Sequence, residues 1–109
     1  MSDWREKPEI DQQTINTLVG AVGEAVFRDM RGQFVADLTS LARAYSHARA
    51  SGDDGEARAT AHALKGASSN IGLVRLSALA AALEAGQTGD AACLDGELQT
   101  AITRLNEAV

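Results

Sequence analysis

The chain has 109 residues, of which 45% are hydrophobic and 4% aromatic, with 15 acidic against 10 basic side chains and a net charge of −5. That length predicts one domain, and an acidic balance without a basic run excludes a nucleic-acid footprint and docking on anionic membranes. A single cysteine, Cys93, excludes an internal disulfide and fits a reducing compartment.

The opening stretch "MSDWREKPEI" is charged and has no apolar h-region, so no secretory signal is expected. No apolar run approaches the ~18 residues of a membrane span, and the chain reads as soluble and cytoplasmic. Residues 1–10, which hold the one proline, Pro8, are expected to be a flexible segment ahead of a single helical domain over residues 11–109. Residues 11–22 place Ile15, Leu18, Val19 and Val22 at helical spacing with Asp11 as N-cap, and Gly20 and Gly23 then predict a bend or break.

The longest element runs from Glu24 to Ala50. Its apolar stripe is Phe27, Met30, Phe34, Leu38, Leu41, Tyr45 and Ala48. "SGDDGE" supplies a stop and a restart, with Gly52 ending one helix and Asp53 and Glu56 spaced as a capping box. A third helix spans residues 54–70 and closes at "NIG", with Gly72 near the C-cap. Leu73, Leu76, Leu79, Ala80 and Leu83 form a fourth stripe, stopped by Gly86. Asp90 is placed to cap a last helix with Leu94, Leu98, Ile102 and Leu105 facing inward. Ala and Leu dominate the apolar residues, which suits closely packed helices. The predicted fold is all-α, an antiparallel up-down four-helix bundle with an additional short N-terminal helix.

One stretch resists a purely structural reading. "AHALKGASSNIG" puts His62, Lys65 and Gly66 in a helix, and a glycine in an exposed helix interior costs roughly 1 kcal/mol relative to alanine. At 100° per residue with Leu64 at zero, Ala57, Ala61, Ser68 and Ile71 fall within about 60° of it and form the core stripe. His62 falls near ~160° and Gly66 near ~200°, with Ser69, Arg58 and Lys65 between about 100° and 140°. The histidine therefore lies opposite the core, and the missing side chain at Gly66 clears space beside it. An exposed nucleophilic ring, a cation and a clearing suit transfer of an anionic group between proteins.

"AHALKGASSNIGLVRLSALAAALE" resembles the signature of the histidine-containing phosphotransfer family. That signature is a His, Lys-Gly at three and four residues on, a further Gly, and a Leu-rich helix ending near Glu or Gln. His62, Lys65, Gly66, Gly72, Leu76, Leu79, Leu83 and Glu84 occupy those positions, and the helix pattern extends the likeness over nearly the whole chain. The resemblance implies a free-standing phosphotransfer protein of a two-component phosphorelay. His62 would carry the phosphoryl group, on Nε2, between aspartates of the receiver domains of a hybrid histidine kinase and a response regulator. Lys65 would neutralise charge, Gly66 would give steric clearance, Glu84 would orient the other ring nitrogen, and Ser69 and Gly72 would support the site.

No cofactor of the chain's own is implied; Mg is expected in the partner receiver domain. The expected state is a monomer with no nucleic-acid or membrane partner and no ATP-dependent kinase activity, since no Gly-rich phosphate loop is present. A metal site is not expected, because the two histidines and one cysteine do not recur at ligand spacing. The alternative is a helical adaptor that binds receiver domains and never carries phosphate. It would keep the bundle and have no need of His62 with Lys65. His47 reads as a surface histidine, Cys93 as a small hydrophobe, and Arg58 and Arg75 as solvated or partner-facing charges.

Overall fold

The computed structural model of the chain describes residues 3–108. Residues 1 and 2 of the expected flexible segment, and residue 109, lie outside the described residues. Five α-helices follow a single 3-10 turn, Trp4–Glu6: α1, Gln12–Val22; α2, Glu24–Ala50; α3, Asp54–Asn70; α4, Val74–Glu84; and α5, Leu94–Glu107, which a second 3-10 turn, Thr88–Cys93, precedes. Among the described residues there is no strand, and no helix is long and apolar enough to cross a membrane.

The helices start and stop where local chemistry requires. Asp11 caps α1, its carboxylate accepting from the Gln13 amide at 3.1 Å and from the Thr14 hydroxyl at 2.7 Å. α1 continues through Gly20 and breaks at Gly23, whose φ of +87° favours glycine. Asp53 caps α3 by accepting from the Glu56 amide at 3.1 Å. The reciprocal half of the expected capping box is absent, because the Asp53 amide already donates to the Ala48 carbonyl at 2.9 Å and closes α2.

α2, α3, α4 and α5 form a ring in which α3 packs most extensively on α2 and α4, and α5 closes against α4 and α2. The connections at residues 51–53 and 71–73 are short, so neighbouring helices run antiparallel. The core joins Phe27, Leu38, Ala42, Tyr45 and Ala48 of α2 to Leu64, Leu76, Leu79, Leu83, Leu94, Leu98 and Leu105, all buried. Met30, Phe34, Leu41 and Ile102 are half-buried at its margins. Val22, expected on the inward stripe of α1, is exposed together with Val26 at the α1–α2 break, and Ile15 is the residue of α1 that is fully buried.

Two further expectations differ from the structure. Residues 3–10 are docked rather than loose: Trp4 is buried against the bundle, its indole N–H donates to Asp90 at 3.0 Å, and Arg5 stacks over its ring and pairs with Asp90 at 2.8 Å. Arg75 of α4 donates to the Lys7 carbonyl at 2.9 Å, and Arg104 of α5 pairs with Glu9 at 3.2 Å. Asp90 therefore does not cap the last helix. Its carboxylate is engaged by Trp4 and Arg5, and α5 begins after Cys93 without a side-chain cap.

Candidate functional site

α3 turns one face to the core and the opposite face to solvent. Ala57, Thr60, Ala61, Leu64 and Ser68 are its buried positions. The two polar members satisfy themselves within the helix: Ser68 donates to the Leu64 carbonyl at 2.7 Å, and Thr60 to the Glu56 and Ala57 carbonyls at 2.9 and 3.0 Å. Thr60 escapes a reading by apolar spacing for that reason. His62 stands on the other face, its side chain 68% exposed.

The imidazole does not stand alone. Glu84 is the last residue of α4, and the antiparallel packing brings that end alongside the middle of α3. One carboxylate oxygen, Oε2, lies 2.5 Å from His62 Nδ1, and the other, Oε1, accepts from Lys65 Nζ at 2.6 Å. A carboxylate near a helix C-terminus lies at the unfavourable end of the helix dipole. The two nitrogens reaching over from α3 offset that cost, and the Lys65 ammonium first, then His62, holds the Glu84 carboxyl below the usual carboxylate range. An ionised carboxylate only accepts hydrogen bonds, so Nδ1 is the protonated nitrogen of this contact and Nε2 is the one left toward solvent.

The remaining residues divide between this cluster and the frame beneath it. Gly66 is exposed, and a Cβ built on it would meet nothing within 4 Å. Ser69 is also exposed, and its hydroxyl makes no hydrogen bond among the described residues. Gly72 is buried and lies in the α3–α4 joint. Its φ of +75° closes α3, with the Gly72 amide donating a hydrogen bond to the Ser69 carbonyl at 3.2 Å and the Leu73 amide to the Ser68 carbonyl at 3.0 Å. The Gly72 carbonyl accepts from the Asp11 amide at 2.7 Å, which ties the start of α1 to the same joint. A further tie, unforeseen from the sequence, is the Ser77 hydroxyl of α4 donating to the Lys65 carbonyl at 3.1 Å. It fixes α4 against the turn of α3 that carries Lys65 and Gly66.

The bundle thus carries an exposed histidine backed by a carboxylate and a lysine and bordered by a bare glycine, an arrangement chemically able to present an imidazole to another macromolecule. The family model of the Hpt domain matches residues 29–108, and the chain belongs to that family. No curated protein and no solved structure gives a match. Hpt domains serve histidine phosphotransfer in two-component signalling, as phosphocarriers rather than kinases, and work with receiver domains of phosphorelay proteins. The docked segment around Trp4 and all of α1 lie outside the matched residues.

Proposed function

We propose that the chain carries a phosphoryl group on His62 Nε2 between aspartates of two receiver domains, those of a hybrid histidine kinase and of a response regulator. The observation that carries this reading is the exposed imidazole whose Nδ1 is engaged by Glu84, which leaves Nε2 as the outward nucleophile.

In the forward step the Nε2 lone pair attacks the phosphorus of the donor's aspartyl phosphate. The Nε2–P bond forms as the P–O bond to the aspartate breaks, and the carboxylate departs with the electron pair. The Nδ1 proton stays on the ring, and the positive charge that develops there faces the ionised Glu84. Transfer to the second receiver reverses the step with a different aspartate. Catalysis of this kind rests on in-line positioning and charge neutralisation. Glu84 holds the ring, Lys65 holds Glu84 and adds a positive charge beside the phosphoryl path, and the bare surface at Gly66 admits the partner. The partner receiver domain supplies Mg. Ser69 borders the approach, and Gly72 keeps α3 and α4 in register.

The test is phosphotransfer from a phosphorylated receiver domain to the purified chain. The parent takes acid-labile label, and ATP with Mg alone gives none. The His62→Gln variant keeps its helical spectrum and takes no label. Undiminished or acid-stable label on that variant would overturn the assignment of His62, and a variant that still supports signalling in cells would point to an unphosphorylated adaptor.

A further inference from the structure

The Ser77 hydroxyl differs from the other hydroxyls of the bundle in where it points. Thr17, Thr39, Ser51, Thr60 and Ser68 each donate to a carbonyl four residues back, the local bond open to a serine or threonine in a helix. For Ser77 that carbonyl belongs to Leu73, and it accepts from the Ser77 amide at 2.9 Å. The hydroxyl instead crosses to α3 and donates to the Lys65 carbonyl at 3.1 Å, with the residue half-buried between the two helices. Around it on α4, residues 78 and 80–82 are all alanine, and serine forms helix less readily than alanine. Helix formation gives no reason for a hydroxyl here; the contact with α3 does.

Ser77 and Glu84 are seven residues apart, which places them within about 20° of one another on one face of α4 and about 10 Å apart along its axis. Lys65 meets both. Its carbonyl, directed toward the C-terminal end of α3, accepts from Ser77, and its ammonium reaches the other way to Glu84 Oε1 at 2.6 Å. α4 therefore holds one residue of α3 at two points. The two points are unequal in stiffness. The Glu84 contact joins the ends of two long side chains, whereas the Ser77 contact joins a short side chain to main chain that cannot move without its helix. The register of α4 on α3 is thus held more firmly by Ser77 than by Lys65 Nζ. That register matters to the imidazole, because Glu84 Oε2 lies 2.5 Å from His62 Nδ1. A slide of α4 by about an ångström would carry the oxygen beyond ordinary hydrogen-bond distance unless the side chain turned to follow.

We propose that Ser77 is a positioning residue for phosphotransfer: through the Lys65 carbonyl it sets the register of α4 and so holds the Glu84 carboxylate against His62 Nδ1. This rests on the reading of His62 as the phosphorylated residue. Ser77 makes no hydrogen bond to the imidazole, so its influence passes through Glu84. It acts on how well the ring is aimed rather than on how tightly a receiver domain binds.

The test compares Ser77→Ala, Ser77→Thr, Glu84→Ala and the variant carrying both alanines, each as the full chain with its helical spectrum checked first. In Ser77→Ala, phosphorylation by a saturating phosphorylated receiver should slow about fivefold at unchanged KM, because misplaced reacting groups cost rate steeply. Ser77→Thr keeps the hydroxyl and should restore the parental rate. In the Glu84→Ala background the alanine at Ser77 should have no further effect, since the group it acts through is gone. The imidazole nitrogen NMR signals of His62, read at fixed pH without a receiver, should move in Ser77→Ala toward those of Glu84→Ala and stay parental in Ser77→Thr. An equal fold loss of rate in both backgrounds would make Ser77 a structural residue only, and unmoved imidazole signals in Ser77→Ala would break the link to Glu84. Either result overturns the proposal. A parent protein that takes no label on His62, with imidazole signals that shift as stated, would overturn the phosphocarrier reading and support the coupling of Ser77 to Glu84.

Discussion

Gly66 lies on the open face of α3, where a Cβ would meet nothing within 4 Å, while Gly72 lies in the α3–α4 joint, where a Cβ would sit 2.9 Å from the Asp11 carbonyl oxygen and 3.1 Å from Thr14 Cβ. Gly66 has ordinary helical backbone geometry; Gly72 has a φ of +75°. Both belong to one sequence motif, yet the fold needs one of them and has no use for the other. A side chain at Gly72 collides with main chain, which cannot rotate away. A side chain at Gly66 would only improve helix propensity. On the proposed function the site has two layers: a joint that sets how α3 meets α4, and a bare surface beside His62 that the partner would use.

The largest effect expected from this contrast is at the joint. Gly72→Ala combines a left-handed backbone conformation with a collision and should lower stability by ~3 kcal/mol, read by chemical denaturation. Adding Thr14→Ala should not restore it, because the nearest atom is the Asp11 carbonyl, which is main chain. The loss should spread to the start of α1, where the Asp11 amide donates its hydrogen bond to the Gly72 carbonyl, and appear as faster hydrogen exchange at Asp11. A loss well under 1 kcal/mol would mean that the joint relaxes cheaply, and the two-layer description would fail.

The second effect belongs to the surface. Gly66→Gln should leave the unfolding midpoint at or slightly above that of the parent, since Gln forms helix better than Gly by roughly half a kcal/mol or more. Its phosphotransfer from a receiver should fall about a hundredfold, the usual consequence of displacing in-line reactants by about an ångström. Transfer at the parental rate would remove the purpose of the bare surface and leave Gly66 without an account.

The helix limits were legible because glycine and aspartate punctuate them. α2 and α3 start and stop at Gly23, Gly52, Asp53 and Gly72, each with the cap or positive φ that its residue type announces. The outward placement of His62 follows from helical phase alone. What periodicity could not reach were pairings between distant segments. Trp4 is a single apolar residue among charges, and only the fold reveals that it and Arg5 take the Asp90 carboxylate. That contact removes both the loose N-terminal segment and the cap of the last helix. The link from Glu84 to the imidazole was suggested by resemblance, whereas Lys65 sharing the same carboxylate depends on which neighbour α3 leans toward. Tyr45 was visible as a core residue, but its unpartnered hydroxyl was not.

The smallest effect is the sharpest comparison, because the same substitution is made at both glycines. Gly66→Ala adds one methyl group to an exposed helix position with nothing within 4 Å, so it should stabilise the fold by up to ~1 kcal/mol. Gly72→Ala adds the same methyl group and should destabilise it, so the two alanines move stability in opposite directions. Transfer orders them differently. Gly66→Ala should slow phosphorylation by less than Gly66→Gln, because a methyl group takes less of the space the partner needs. Gly72→Ala, measured at a temperature where it is folded, should affect transfer only through the position of Glu84 relative to His62. The checks are paired denaturation curves and single-turnover labelling of both variants. A Gly66→Ala protein that is more stable and slower has a glycine kept for function against the preference of the helix. One that is more stable and equally fast shows that the partner tolerates a methyl group, which would limit the clearance at Gly66 to side chains larger than alanine.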